Sequence, residues 1–234
     1  MISVIVPTLN SEADLAHCLA ALVPAAAEGV VREVIVVDGG SSDNTERVAD
    51  AAGCDWREVK GPRSERLAAG AQASRRGEWL LFLPADTVLE ASWHHEVQNF
   101  IERAERAGSA DKTAAAFKLR FEAFGMGARV SEFMAVVRSR FLGMPDGSQG
   151  LLISGRFYQS LGGYRPLREM EDLDLVKRIG GRRLVFLRSG AVCSGRGSEP
   201  GQSDSLISGF RKSVARFCVN TLRLPPKALL KLHG

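Results

Sequence analysis

An α/β fold, with a mostly parallel central sheet flanked by helices, follows from the first 83 residues. Runs such as Glu33 to Val37 and Trp79 to Leu83 are nearly continuous apolar sequence, the pattern of parallel strands buried on both faces. The segments between such runs carry apolar residues at helical spacing. Polar turns fall at the strand ends, so strand and helix alternate along the chain.

Ile2 to Val6 is the first strand, closed by Pro7, and Ser11-x-x-Asp14 is a capping-box pattern ahead of Leu15, Cys18, Leu19 and Leu22 on one helix face. Glu33 to Val37 runs into Asp38-Gly39-Gly40-Ser41-Ser42-Asp43, after which Asp43 and Glu46 open a helix to about Ala52. A strand from Trp56 to Val59, a turn at Gly61-Pro62, a helix from Ser64 to Arg75 and the strand Trp79 to Leu83 complete this half. Beyond Asp86 the alternation loosens. Helices are expected over 91–107 and 129–141, from Arg156 and over 172–179, with strands over 114–121, 151–154 and 184–187 and polar loops over 143–150 and 162–168.

Of the 234 residues, 45% are hydrophobic and 25% charged, which excludes a disordered or fibrous chain. Cys18, Cys54, Cys193 and Cys218 never approach CxxC spacing and sit among apolar or small residues. They read as buried thiols of a reducing, cytoplasmic setting, not as zinc ligands or disulfides. MISVIVPTLN has no basic leader and no long apolar run follows, so neither a signal peptide nor a membrane span is expected. The net charge of +4 is uneven: six cations and no anion follow Asp204, which leaves the first 204 residues at −2. That is not the distributed basic face of a nucleic-acid-binding domain, and no nucleic-acid partner is expected.

In an open parallel sheet, ligands bind beyond the carboxyl ends of the strands. Three polar clusters lie there: Thr8-Leu9-Asn10-Ser11-Glu12, Asp38 to Thr45, and Pro84-Ala85-Asp86-Thr87. Any one of them could be a helix cap or a solvated turn. Three together point to a ligand site, where Gly39 and Gly40 let backbone approach closely and a helix N-terminus favours an anionic group. The turn TLNSE is not the GxGxxG of a dinucleotide site, and GxxxxGK[ST] is absent. Phosphate contacts would therefore fall to Arg63, Arg66, backbone amides or a metal ion.

VIVPTLNSE, EVIVVDGGSSDNT, GPRSERLAAGA, WLLFLPADT and GGYRPLREMEDLDLVKRI, in that order over residues 2 to 190, resemble the inverting family 2 glycosyltransferases of GT-A fold. The FLPADT form, with GSQG and LGGY before MED, is most similar to the bacterial radical-SAM/selenodomain-associated, arsenosugar-biosynthesis-type subgroup. The resemblance implies a nucleotide-sugar donor, a UDP-sugar, and an acceptor that it does not identify. It implies that Pro7, Thr8, Glu12, Asp38, Gly39, Arg66, Gly70 and Asp86 serve the donor pocket, with Asp38 accepting a hydrogen bond from the uracil imide. It makes Asp86, the last acid of an Asp-x-Asp element, the ligand of Mn²⁺ or Mg²⁺, makes Asp172 the general base, and puts Gln149 and Glu171 on the acceptor side.

Inverting transfer needs a carboxylate that takes the acceptor proton as its oxygen attacks opposite the leaving diphosphate. The ion offsets charge developing on that diphosphate. Pro84 stands where the element usually begins with an aspartate, so water and diphosphate oxygens would complete the shell, which hard cations accept. Ala68 and Ser148 depart from the asparagine and aspartate frequent in relatives.

On this reading residues 1–194 are the GT-A domain and 195–234 a mobile loop with a basic, amphipathic, helical C-terminal segment. There Ile207, Phe210, Val214, Phe217 and Cys218 recur at helical spacing, opposite Arg211, Lys212 and Arg216. The stripe suits an anionic membrane, which would place a cytoplasmic enzyme peripherally at the inner membrane, or packing against the sheet or a second subunit of a homo-oligomer. Val219 interrupts the polar face and favours packing. His94-His95 reads as a surface pair, its rings about 100° apart on a helix, and not as a shared metal site. Competing readings are a sugar-phosphate nucleotidyltransferase, which would carry a glycine-rich basic turn after the first strand, and a catalytically silent nucleotide-sugar-binding module, which the joint presence of Asp38, Asp86, Glu171 and Asp172 opposes.

Overall fold

The computed structural model describes residues 1–121 and 149–193, all within one compact unit; the helix expected over 129–141 and the segment 195–234 lie outside the described residues. The elements are β1 (Ile2–Thr8), α1 (Glu12–Ala27), β2 (Val31–Asp38), α2 (Thr45–Ala51), β3 (Asp55–Glu58), α3 (Arg63–Ala73), β4 (Trp79–Phe82), β5 (Thr87–Leu89), α4 (Trp93–Arg106), β6 (Ala114–Phe121), β7 (Leu151–Ser154), α5 (Gly155–Ser160), α6 (Glu171–Ile179) and β8 (Leu184–Cys193).

The period of two along each strand decides how the sheet is covered. Val4, Val6 and Val36 face a core built with α1, α2 and α4, whereas Ile5, Ile35 and Val37 face a second core built with α3, α5 and α6. Three layers result. The strand order is β3-β2-β1-β4-β7-β6-β8-β5. The first four neighbours are all parallel, as the apolar runs predict. From β4 onward the sheet is mixed, because β7 is antiparallel to β4 and β6, and β5 is antiparallel to β8.

Several local expectations are corrected. β1 does not stop at Val6 but continues through Pro7 to Thr8. Ser11 makes no side-chain cap to α1; its hydroxyl is engaged with Leu9 instead. β5 is a three-residue strand, too short to leave a periodic signal. β8 runs ten residues where four were expected. Its polar Arg188 and Ser189 hide the continuation, and Glu96 on α4 accepts both of their backbone N–H groups at 2.8 Å. Those donors outweigh the effect of burial and hold the Glu96 carboxyl below its ordinary pKa.

Cys18 and Cys193 are buried free thiols and Cys54 is half-buried. Trp79 and Trp93 are core residues, and the Trp93 indole donates to the Ala21 carbonyl at 3.1 Å. Among the described residues no helix is long and apolar enough to cross a membrane.

Gly70 lies mid-helix in α3, where a Cβ would stand 2.4 Å from Ile5 Cγ2 and 3.1 Å from Val37 Cγ2. Its missing side chain lets α3 lie against β1 and β2, a packing role that helix periodicity does not reveal. Gly70→Ala should therefore lose about 1–3 kcal/mol to overpacking, despite the roughly 1 kcal/mol that alanine gains over glycine in a helix. Urea denaturation reads the sign; a stabilised variant would refute this account.

Candidate active site

β1 pairs with β2 as far as Thr8 but with β4 only as far as Ile5. The Ile5 carbonyl accepts from Leu83 N at 3.0 Å, so residues of that parity present their polar groups toward β4. Pro7 shares this parity, and its missing N–H points to the side where β4 has ended. The carboxyl edge between β1 and β4 is thus where the strand order changes direction, the position of the ligand crevice in such sheets.

The loops beside the crevice are held by buried carboxylates. Asp38 is 1% exposed. Its Oδ1 accepts from Thr8 Oγ1 at 2.9 Å and Ser41 Oγ at 2.5 Å, and its Oδ2 from the backbone N–H groups of Gly40 at 2.7 Å and Ser41 at 2.6 Å. Four donors fill the four lone-pair positions of a carboxylate. In this geometry Asp38 shapes the loop, and a uracil imide would reach it only as one of the two hydroxyls turned away. Thr8 is equally enclosed, its carbonyl accepting from Gly39 N at 2.9 Å and Arg66 Nη1 at 2.7 Å.

Glu12 also serves the loop. Its carboxylate accepts from Asn44 N at 3.3 Å and Asn44 Nδ2 at 3.1 Å, while Asp43 accepts from Glu12 N at 3.1 Å. Asn10, in the left-handed region at φ 49°, accepts from Ser42 N at 2.8 Å and completes the interlock of the two loops. Gly39 leaves room for the guanidinium, since a Cβ would lie 2.5 Å from Arg66 Nη1, and Arg66 is itself 3% exposed.

One turn earlier on α3, Arg63 reaches the other half of the site. Its Nη1 lies 2.6 Å from Glu171 Oε1 and 2.5 Å from Asp172 Oδ2, and the Tyr164 hydroxyl donates to Asp172 Oδ1 at 2.9 Å. Burial works to lower the pKa of Arg63, but the Asp172 and Glu171 charges prevail and hold it above its ordinary value. Burial, reinforced by Asp172, pushes the Tyr164 phenol well up, so it stays a donor. Met170 precedes these acids at φ 62°, a left-handed conformation uncommon for a non-glycine residue. Arg63 in this role, and Tyr164 altogether, escaped sequence reasoning: the contacts span 108 and 109 residues for Arg63, and no local pattern marks such a pair.

Asp86 follows β4, half-buried at the same edge. Thr87 Oγ1 lies 3.4 Å from its Oδ1 and Cys193 Sγ 3.2 Å from its Oδ2. Gln149 precedes β7, whose Leu151 pairs with Phe82 of β4, which brings Gln149 to this edge too. Gln149 is 2% exposed, and its Oε1 receives no hydrogen bond from the described residues.

A family model for glycosyl transferase family 2 matches residues 3–149, more than half of the chain. No curated protein matches it. Among solved structures, glucosyl-3-phosphoglycerate synthase from Mycobacterium tuberculosis, in complex with Mn²⁺, UDP and glucosyl-3-phosphoglycerate, gives a TM-score of 0.63 at 22% identity, over 94% of this chain and 79% of its own. The same synthase with Mg²⁺ and UDP gives the same score, identity and coverage. S. aureus TarS 1-349 gives 0.63 at 18% identity over 82% of this chain, which spans 60% of the TarS chain. The likeness is one of fold: a mixed sheet flanked by helices, the GT-A arrangement of nucleotide-sugar transferases.

The Asp38 geometry yields a test. Asp38→Ala leaves two backbone N–H groups without an acceptor and should cost about 2 kcal/mol or more of stability along with UDP affinity. Asp38→Asn can accept both N–H groups on its oxygen while its amide donates to the two hydroxyls, so it should keep UDP affinity within about threefold. Calorimetric titration beside urea denaturation distinguishes the roles. A folded Asp38→Asn protein that has lost UDP affinity would restore the direct uracil contact.

Proposed function

The chain belongs to glycosyl transferase family 2, and on that footing we propose that it moves a sugar from a UDP-sugar to an acceptor hydroxyl with inversion at the anomeric carbon. It is a glycosyltransferase of nucleotide-sugar donors; the choice of UDP is supported by the UDP-bound synthase of like fold. The FLPADT, GSQG and LGGY-MED sequences support membership of the radical-SAM/selenodomain-associated subgroup. For the basic segment after Asp204 we favour packing over membrane contact, on the interruption of its polar face by Val219.

The carrying observation is that α3 ties the crevice to Asp172 through Arg66 and Arg63. Among the described residues each Asp172 oxygen receives one donor, Arg63 or Tyr164, which orients the carboxylate and leaves each oxygen a lone pair for the acceptor hydroxyl. Asp172 takes that proton as the oxygen attacks. Arg63 and Tyr164 are positioning residues, and Glu171, buried against Arg63, fixes the guanidinium. Asp86 presents a carboxylate with spare lone pairs, which fits a hard cation that draws its other ligands from diphosphate and water. Bound there, Mn²⁺ or Mg²⁺ would offset charge on the departing diphosphate. Both ions occur with UDP in the synthase.

Asp172→Asn should lower the single-turnover rate by about 100-fold or more and leave UDP affinity nearly unchanged. Were Asp172 merely a helix-start residue, the variant would lose about 1 kcal/mol of stability and keep its rate. Mn²⁺ should tighten UDP binding to the wild type, and Asp86→Ala should abolish that enhancement; full activity in excess chelator would refute the metal role. The anomeric configuration of the product, read by NMR, tests inversion directly.

A further inference from the structure

We propose that Glu28, His94 and His95 form a second metal site, suited to Zn²⁺ with water completing a tetrahedral shell, at the sheet edge opposite the transfer site. β1 runs toward the crevice and α1 returns from it, so Glu28, the C-cap of α1, lies at the far edge. The two histidines open α4 beside it. The expected surface pair is corrected here: His94 is 4% exposed, and the two rings converge, with centroids 4.2 Å apart.

Their convergence follows from the carboxylate. Glu28 offers Oε1 to His94 Nε2 at 3.1 Å and Oε2 to His95 Nε2 at 3.4 Å, so one side chain spans the angle between neighbouring helix positions. One ligating atom from each of the three residues lies within 4.8 Å of the other two. Zinc bonds of about 2.0–2.1 Å at tetrahedral angles set neighbouring donors about 3.4 Å apart; each imidazole already lies at 3.1 or 3.4 Å from its own Glu28 oxygen, and a turn of the half-exposed Glu28 side chain would present one oxygen to both. Two imidazole nitrogens and one carboxylate oxygen are a donor set that zinc takes readily. One divalent ion would join all three groups and tie the end of α1 to the start of α4.

The test uses the full-length protein, stripped with chelator and titrated with Zn²⁺ by calorimetry and with Co²⁺ by visible absorption. Glu28 and His95 are 48% and 57% exposed at their side chains, so Glu28→Gln and His95→Ala leave the core intact. The wild type should bind one equivalent of Zn²⁺ at this site and show tetrahedral Co²⁺ absorption. Each variant should bind at least tenfold more weakly and lose the absorption, whereas Asp86→Ala should retain both. Absence of Zn²⁺ binding in the wild type, or a loss smaller than tenfold in either variant, would overturn the proposal.

Discussion

The site exists because β1 outruns β4. Three residues of β1 continue beyond its last pairing with β4 while still bonded to β2, and Pro7 falls where the ladder on the β4 side has ended. A residue with an N–H there would carry a donor in need of a partner. Proline removes that donor and accepts the break. The ladder thus ends without leaving an unpaired donor on β1, and the acidic loops gather around that edge.

Once open, the crevice has walls that must be held without spending the groups meant for ligand. α3 does much of this. Gly70 lets the helix lie close on the sheet, Arg66 crosses over Gly39 to the end of β1, and Arg63 reaches Glu171 and Asp172. Arg63 and Arg66 are three residues apart and share a helix face, so one rigid element sets the spacing between the donor side and the candidate base. Breaking the Arg63 contact would leave Glu171, 7% exposed, as a buried charge without its cation.

Local pattern made the first half of the fold legible. Continuous apolar runs belong to strands covered on both faces, and such runs locate the ends of β2 and β4 to within two residues. Sequence reading fails where pairing is set at long range: β5 is too short for any period, and the polar stretch of β8 is held by Glu96 from 92 and 93 residues away. His94 misled for a related reason. Helix periodicity gives the angle between neighbouring side chains but not what lies opposite, and Glu28 lies opposite both.

The acids show most clearly what a sequence withholds. Asp38, Asp86 and Asp172 all stand at the carboxyl edge, and as letters they are equivalent candidates for chemistry. Their surroundings separate them. Asp38 receives four donors in this geometry, which makes it part of the frame. Among the described residues Asp86 and Asp172 each show one contact per oxygen, enough to orient a carboxylate and too few to saturate it. A group that must take up a proton or hold an ion needs that remainder, because a saturated carboxylate can react only by first breaking the structure that holds it. Counting donors around each acid therefore separates the frame from the candidate reactive groups, and a motif names residues without giving that count.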